Sequence, residues 1–166
     1  MSNKTVLEEL LEQDSIDLPE NNFAHPEQLI EDFKNLFHSL NRDYCNKKII
    51  EQVYDVDMTF QDPFHKIEGS EAFTKYCADM YENVIASGFV FHKQILGEND
   101  AFLTWTFCYS HPKLKRGRTI CVEGSSEVRF NKKVYFHKDY FDGGAMLYEH
   151  IPFIGSLIQR IKGRMV

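Results

Sequence analysis

The feature that most constrains this chain is a change of hydrophobic period near Gly88. Before it, apolar residues recur three and four positions apart, the spacing of a helix with one buried face. After it they alternate, the spacing of strands. Four alternating runs follow one another: FVFHKQIL (89–96), AFLTWTFCY (101–109), RTICVEGSSEVRF (118–130) and VYFHKDYFD (134–142). The turn GEND, a basic loop over 110–117 and a tight turn at Asn131-Lys132 separate them. The pattern predicts an antiparallel meander of four strands.

Upstream, Pro26 suits the first position of a helix, and Leu29, Ile30, Phe33, Leu36, Phe37 and Leu40 follow at helical spacing. A second helix is predicted over 47–54, burying Ile49, Ile50 and Val53. A short strand, 58–61, runs into Asp62-Pro63, where the proline ends it. Ser70 is the expected N-cap of a third helix whose buried side carries Phe73, Tyr76, Cys77, Met80, Tyr81 and Val84. Helices first and strands afterwards imply an α+β domain, with helices packed on one face of a curved four-stranded meander plus one short strand. Such a layer arrangement can enclose a cone with an open mouth, and polar residues pointing into it would form a site. The chain divides into an acidic extension (1–24), the domain (25–145) and a C-terminal segment (146–166).

Composition excludes several function classes. The 166 residues are 43% hydrophobic and carry a net charge of −6, so the chain is globular and a broad electrostatic claim on nucleic acid is excluded. The N-terminus shows no basic stretch leading into an apolar run, and no apolar stretch is long enough to span a bilayer; a cytoplasmic location is expected. Cys45, Cys77, Cys108 and Cys121 are scattered without a C-x-x-C pair, which suggests reduced thiols and no zinc site.

The stretch YDVDMTFQDPFHKIEG (54–69), a helix, and the four strands ending in HKDYFD resemble the nuclear transport factor 2-like fold. More narrowly, the chain resembles the branch that holds SnoaL-like polyketide cyclases, ketosteroid isomerases and limonene epoxide hydrolase. The resemblance covers Pro26 to Asp142. It implies a cone-shaped pocket for a small apolar or carbonyl-containing molecule, acid–base chemistry without a cofactor, and a homodimer formed through the outer face of the sheet. Asp62 matches the general base of the isomerases, while His38 and Ser126 stand where their oxyanion tyrosine and aspartate are expected. Asp139 matches the catalytic aspartate of the epoxide hydrolase, but Thr106 and Cys108 stand where its arginine and second aspartate belong. An acid and a histidine in the cone, Asp139 with His137, is the arrangement of the SnoaL-type cyclases.

The residues themselves point to the same strands. Alternation places His137, Asp139 and Phe141 on one face. Thr106 and Cys108, alternating with Trp105, join Ser126 in a polar seam if that set faces the cone. A carboxylate held away from water there becomes a usable acid or base, and two carboxylates in unlike surroundings, Asp62 and Asp139, can divide those roles. The bland alternatives are equally definite. Asp62 can cap the strand exit, Asp139 can pair with an arginine such as Arg129, and His137 can be a packed strand residue. His38 can be core, and Ser126 and Cys108 small packing residues. His137 and Asp139 lack a third metal ligand at a recognisable spacing. A non-catalytic binding or scaffold module using the same cone, or its C-terminal helix, therefore stays open.

That C-terminal segment, IPFIGSLIQRIKGRMV, carries an apolar stripe of Phe153, Ile154, Leu157, Ile158 and Ile161, with Arg160, Lys162 and Arg164 around it. It predicts a helix over 152–165 that packs over the cone mouth or onto a partner subunit. The sharper reading is a basic amphipathic helix that touches a membrane surface or another protein.

Overall fold

The computed structural model describes residues 25–41, 43–151 and 153–164, so the acidic extension lies outside the described residues. Helix α1 (Pro26–Ser39) buries Leu29, Ile30, Phe33, Leu36 and Phe37, the face its spacing predicts. Helix α2 (Lys47–Val53) starts where the Asn46 side chain accepts the backbone N–H of Ile49. Strand β1 (Tyr54–Gln61) and strand β2 (Lys66–Glu68) precede helix α3 (Ser70–Glu82), which buries Phe73, Cys77 and Tyr81. Ser70 does not cap α3. Gly69, at φ 88°, holds the cap position, while the Ser70 hydroxyl donates to Glu51 at 2.6 Å.

Strands β3 (Ala86–Leu96), β4 (Asp100–Ser110), β5 (Ile120–Phe130) and β6 (Val134–Phe141) form the predicted antiparallel meander. The sheet is larger than expected, however: six strands in the order β2-β1-β6-β5-β4-β3, with β1 parallel to β6. Two causes hid this. The acids of YDVDMTFQ mask the first half of β1, expected only over 58–61, although Tyr54, Met58 and Phe60 are buried along it. The parallel β1–β6 pairing joins segments some eighty residues apart, for which no local signal exists. Register shifts within β1/β6, β3/β4 and β5/β6 let the sheet curl around α1 and α3. The core lies between the concave face and these helices, centred on Ile30, Phe33, Ile50, Tyr54, Met58, Leu103, Val128 and Phe130.

Alternation along β4 buries Leu103, Trp105, Phe107 and Tyr109 and turns Thr104, Thr106 and Cys108 to the convex face. There Thr106 bonds His92 at 2.8 Å, and Cys108 lies opposite Cys121, to which it is joined in a disulfide with a Cα–Cα distance of 4.1 Å. The expectation of four reduced thiols is therefore corrected for this pair. Register across two neighbouring strands, not sequence spacing, brought the cysteines together. Cys45 and Cys77 are free.

After β6, Asp142 accepts the N–H groups of Gly144 and Ala145 and so starts a short helix α4 (Gly143–Met146). A 3₁₀ turn (Tyr148–His150) leads to helix α5 (Ile154–Lys162). This helix is shorter than predicted, and the predicted ends Pro152 and Met165 lie outside the described residues. No helix among the described residues is long and apolar enough to cross a membrane.

Candidate active site

The concave face carries a chain of buried polar groups. It begins at Tyr54, at the start of β1, whose hydroxyl meets His137 Nδ1 at 2.8 Å. Burial first, and the negative charge of Asp139 second, push the Tyr54 hydroxyl far above its ordinary pKa, so it stays protonated and acts as the donor. His137 Nδ1 is then the acceptor, and its Nε2–H donates to Asp139 Oδ1 at 2.8 Å. The same oxygen accepts the Ser126 hydroxyl at 2.5 Å, and Ser126 in turn accepts the indole N–H of Trp105 at 2.8 Å. Four residues from four strands, Tyr54, His137, Ser126 and Trp105, thus fix one carboxylate.

The β5–β6 register explains the meeting. Ser126 lies directly opposite Asp139, and Val128 opposite His137. Gly124 lies between Trp105 on one side and Phe141 on the other. Any Cβ at Gly124 would come 2.3 Å from the Trp105 ring, so only glycine lets the indole lie flat across the sheet. Around the imidazole, Phe33, Phe37 and Phe60 present tilted or edge-on rings at 5.1, 5.7 and 5.1 Å. This apolar wall excludes water and strengthens every polar contact within it.

Asp139 Oδ2 takes no hydrogen bond from any described residue, and its carboxylate lines an internal chamber of about 50 Å³. Asp62 and Tyr76 line the same chamber together with Phe37, Phe60, Trp105 and Phe141. Outside it lies a cleft of about 640 Å³, walled by Phe64, Met80, Val84, Leu114, Leu147 and Ile151. Asp62, Tyr76, Met80, Phe107, Phe141 and Met146 border both spaces, so they form the throat between them.

Asp62 is held differently from Asp139. Its Oδ1 accepts the backbone N–H groups of Phe64 and His65 at 2.7 and 2.6 Å, which turns the chain after the strand. Its Oδ2 accepts the Tyr76 hydroxyl at 2.7 Å. Burial first, and this bond to Asp62 second, push Tyr76 far above the usual tyrosine range. Both oxygens of Asp62 are thus used, and the residue aims Tyr76 into the throat.

Of the residues singled out in the sequence, the fold brings together Asp62, Asp139, His137, Ser126, Trp105 and Phe141. It does not bring His38, Thr106 or Cys108 with them. His38 is exposed on α1, with its ring 5.5 Å from Phe91. Thr106 and Cys108 lie on the convex face because Trp105 takes the concave side of β4. Arg129 does not reach Asp139; it pairs with Glu127 at 2.7 Å. Neither Tyr54 nor Tyr76, the latter placed only on the buried side of its helix, is among the candidate site residues of the sequence. A signal for Tyr76 was present, since a tyrosine on the buried face of a helix needs a partner for its hydroxyl. Among the described residues, no three histidine, cysteine or acidic side chains come close enough to hold a metal ion.

Residues 33–134 match the model of the SnoaL-like domain, and the chain belongs to that family. Solved structures agree in fold. A protein named as a SnoaL-like polyketide cyclase from Jannaschia sp. CCS1 superposes with a TM-score of 0.64 at 11% identity, covering 77% of this chain and 94% of that one. A protein with a ketosteroid isomerase-like fold from Catenulispora acidiphila, in complex with trimethylamine, gives 0.64 at 11% identity over 75% and 94%. An NTF2-like protein from Exiguobacterium sp. 255-15 gives 0.56 at 13% over 69% and 98%. At such identities the likeness establishes the nuclear transport factor 2-like fold. No curated protein sequence matches the chain.

Proposed function

We propose that this protein is a cofactor-independent acid–base enzyme acting on a small, mostly apolar carbonyl compound. One observation carries the reading: Asp139 has one oxygen fixed by Ser126 and His137 and the other bonded to no described residue, and it lines a chamber that adjoins an apolar cleft. A substrate body fits the cleft of about 640 Å³, whereas the inner chamber of about 50 Å³ admits only its reacting end. Asp139 takes a proton from the carbon beside the carbonyl, and the electron pair moves onto oxygen as an enolate. The Tyr76 hydroxyl, which stays protonated and borders the throat, becomes the donor to that oxygen by turning its one proton away from Asp62. Return of the proton at another carbon completes an isomerisation. Attack of the enolate carbon on a second carbonyl closes a ring, that carbonyl's oxygen taking the electron pair and then the proton held by Asp139, the outcome the name of the Jannaschia protein suggests. The His137–Tyr54 pair behind Asp139 holds the carboxylate still through either course.

The test is deuterium exchange at the α-carbons of a panel of cyclic ketones and diketones, followed by NMR for the wild type and Asp139→Asn. General-base catalysis is worth about 10²- to 10⁴-fold, so the variant should lose an acceleration of that order. Equal exchange by both proteins would refute the role of Asp139. A second reading, a non-catalytic binding module, is favoured by the small inner chamber, which holds about one or two waters. It predicts that ketones shift the fluorescence of Trp105 without any exchange.

A further inference from the structure

Helix α5 does not do what a packing helix does. Gly155 lies against the 3₁₀ turn so closely that a Cβ there would be 2.1 Å from the Glu149 carbonyl oxygen, which pins one side of the helix to the domain. At about 100° per residue, Ile154, Leu157, Ile158 and Ile161 fill an arc of about 100° that excludes the pinned side. Most of that arc is open: Ile158 is half-buried, but Ile154 is exposed, Leu157 is 59% and Ile161 51% exposed, and Phe153 at the start of the helix is 91% exposed. Arg160 and Arg164 flank the arc on one edge and Lys162 on the other, although Lys162 also pairs with Glu149 at 2.5 Å and Asp142 at 3.8 Å.

A second cationic element shares this end of the molecule. The loop between β4 and β5 places Lys113, Lys115, Arg116 and Arg118 along a groove of about 690 Å³ whose other wall includes Phe153 and Gln159 of the helix segment. Among the described residues, the non-glycine positions with positive φ are Lys115 (46°), Arg116 (57°) and Phe153 (70°), all on this groove. Backbone strain gathered on one surface is a mark of use. The whole chain carries a net charge of −6, yet neither the 110–119 loop nor the segment after Glu149 contains an acid.

We propose that α5 and the 113–118 loop dock the protein on an anionic membrane surface, with Phe153, Leu157 and Ile161 entering the headgroup boundary. Charge complementarity selects this occupant. A chain repelled elsewhere by an anionic surface is attracted at this one end and so oriented by it. A symmetric contact between two copies through the same stripe would instead set Arg160 and Arg164 close to cations of the other copy. The placement has a consequence for supply: Lys113, Leu114 and Ile151 also border the outer cleft, so its mouth opens beside the docked face and takes apolar molecules from the bilayer side. The surface stands apart from the chemistry assigned to the cone.

The experiment is cosedimentation of the full chain with vesicles of phosphatidylcholine alone and of phosphatidylcholine with 30% phosphatidylserine, at about 0.05 and 0.5 M salt. Binding should appear on the anionic vesicles only and fall at least tenfold at high salt. Leu157→Asp and, separately, the double variant Lys113→Glu/Arg118→Glu alter exposed positions, and circular dichroism should show each folded. Each should bind anionic vesicles at least tenfold more weakly. Three results would overturn the proposal: no sedimentation with anionic vesicles, equal binding to neutral ones, or a Leu157→Asp variant that keeps vesicle binding while splitting a dimer into monomers.

Discussion

Tyr54→Phe isolates the link on which the site geometry depends. The ring stays, packed 5.0 Å from Phe73, so little volume is lost. What goes is the hydroxyl, fully buried and bonded to His137 Nδ1 at 2.8 Å. Losing one hydrogen bond costs about 1 kcal/mol, and a buried acceptor left without a donor adds about 1–2 kcal/mol. His137 is itself buried, at 1% exposure, so water cannot replace the donor without opening the aromatic wall. The expected loss is therefore about 2–3 kcal/mol, or roughly 5–10 °C in Tm for a domain of this size. Urea unfolding followed through Trp105, the single tryptophan, measures it directly. The control is a double-mutant cycle with His137→Leu. With the imidazole absent, Tyr54→Phe removes only an unpaired hydroxyl, so the two changes should couple by about 2 kcal/mol. A cost below about 0.5 kcal/mol, or the same cost in both backgrounds, would refute the polar chain as drawn.

Further expectations follow from other contacts. Gly124→Ala should displace the Trp105 ring, which a new Cβ would meet at 2.3 Å, and red-shift its emission as the bond to Ser126 breaks; an unchanged spectrum would contradict the packing. Reduction of Cys108–Cys121, or the double change to serine, opens a link spanning 13 residues. The chain-entropy model gives about 3 kcal/mol for a loop of that order, and denaturant midpoints with and without reductant test it. Stability should also fall at high pH. Tyr54 and Tyr76 are raised above the ordinary value of 10.0 in the folded protein, so the unfolded chain gives up their protons first. Their contribution is complete below about pH 10 and declines above it, by about 1.4 kcal/mol per pH unit for each tyrosine. Tyr76→Phe should make that decline shallower, and equal slopes would show that Tyr76 keeps no raised pKa.

The sequence by itself determined the α+β class, the helical faces of α1 and α3, the four-strand meander and the common face of His137, Asp139 and Phe141. These are local matters: a period of 3.6 or 2 says which side chains share a face, and Gly, Pro and Asn mark where a period stops. Which face becomes concave is not local. Along β4, small polar and large aromatic residues alternate equally well, and the alternation cannot say whether Thr106 or Trp105 points inward. Only packing decided it, because the aromatic set was needed to cover α1 and α3. The tertiary structure alone also paired β1 with β6, set Ser126 against Asp139, joined Cys108 to Cys121 and carried Tyr54 across 83 residues to His137. Contacts between distant segments depend on the register and curl of the whole sheet, and no window of the sequence contains both partners.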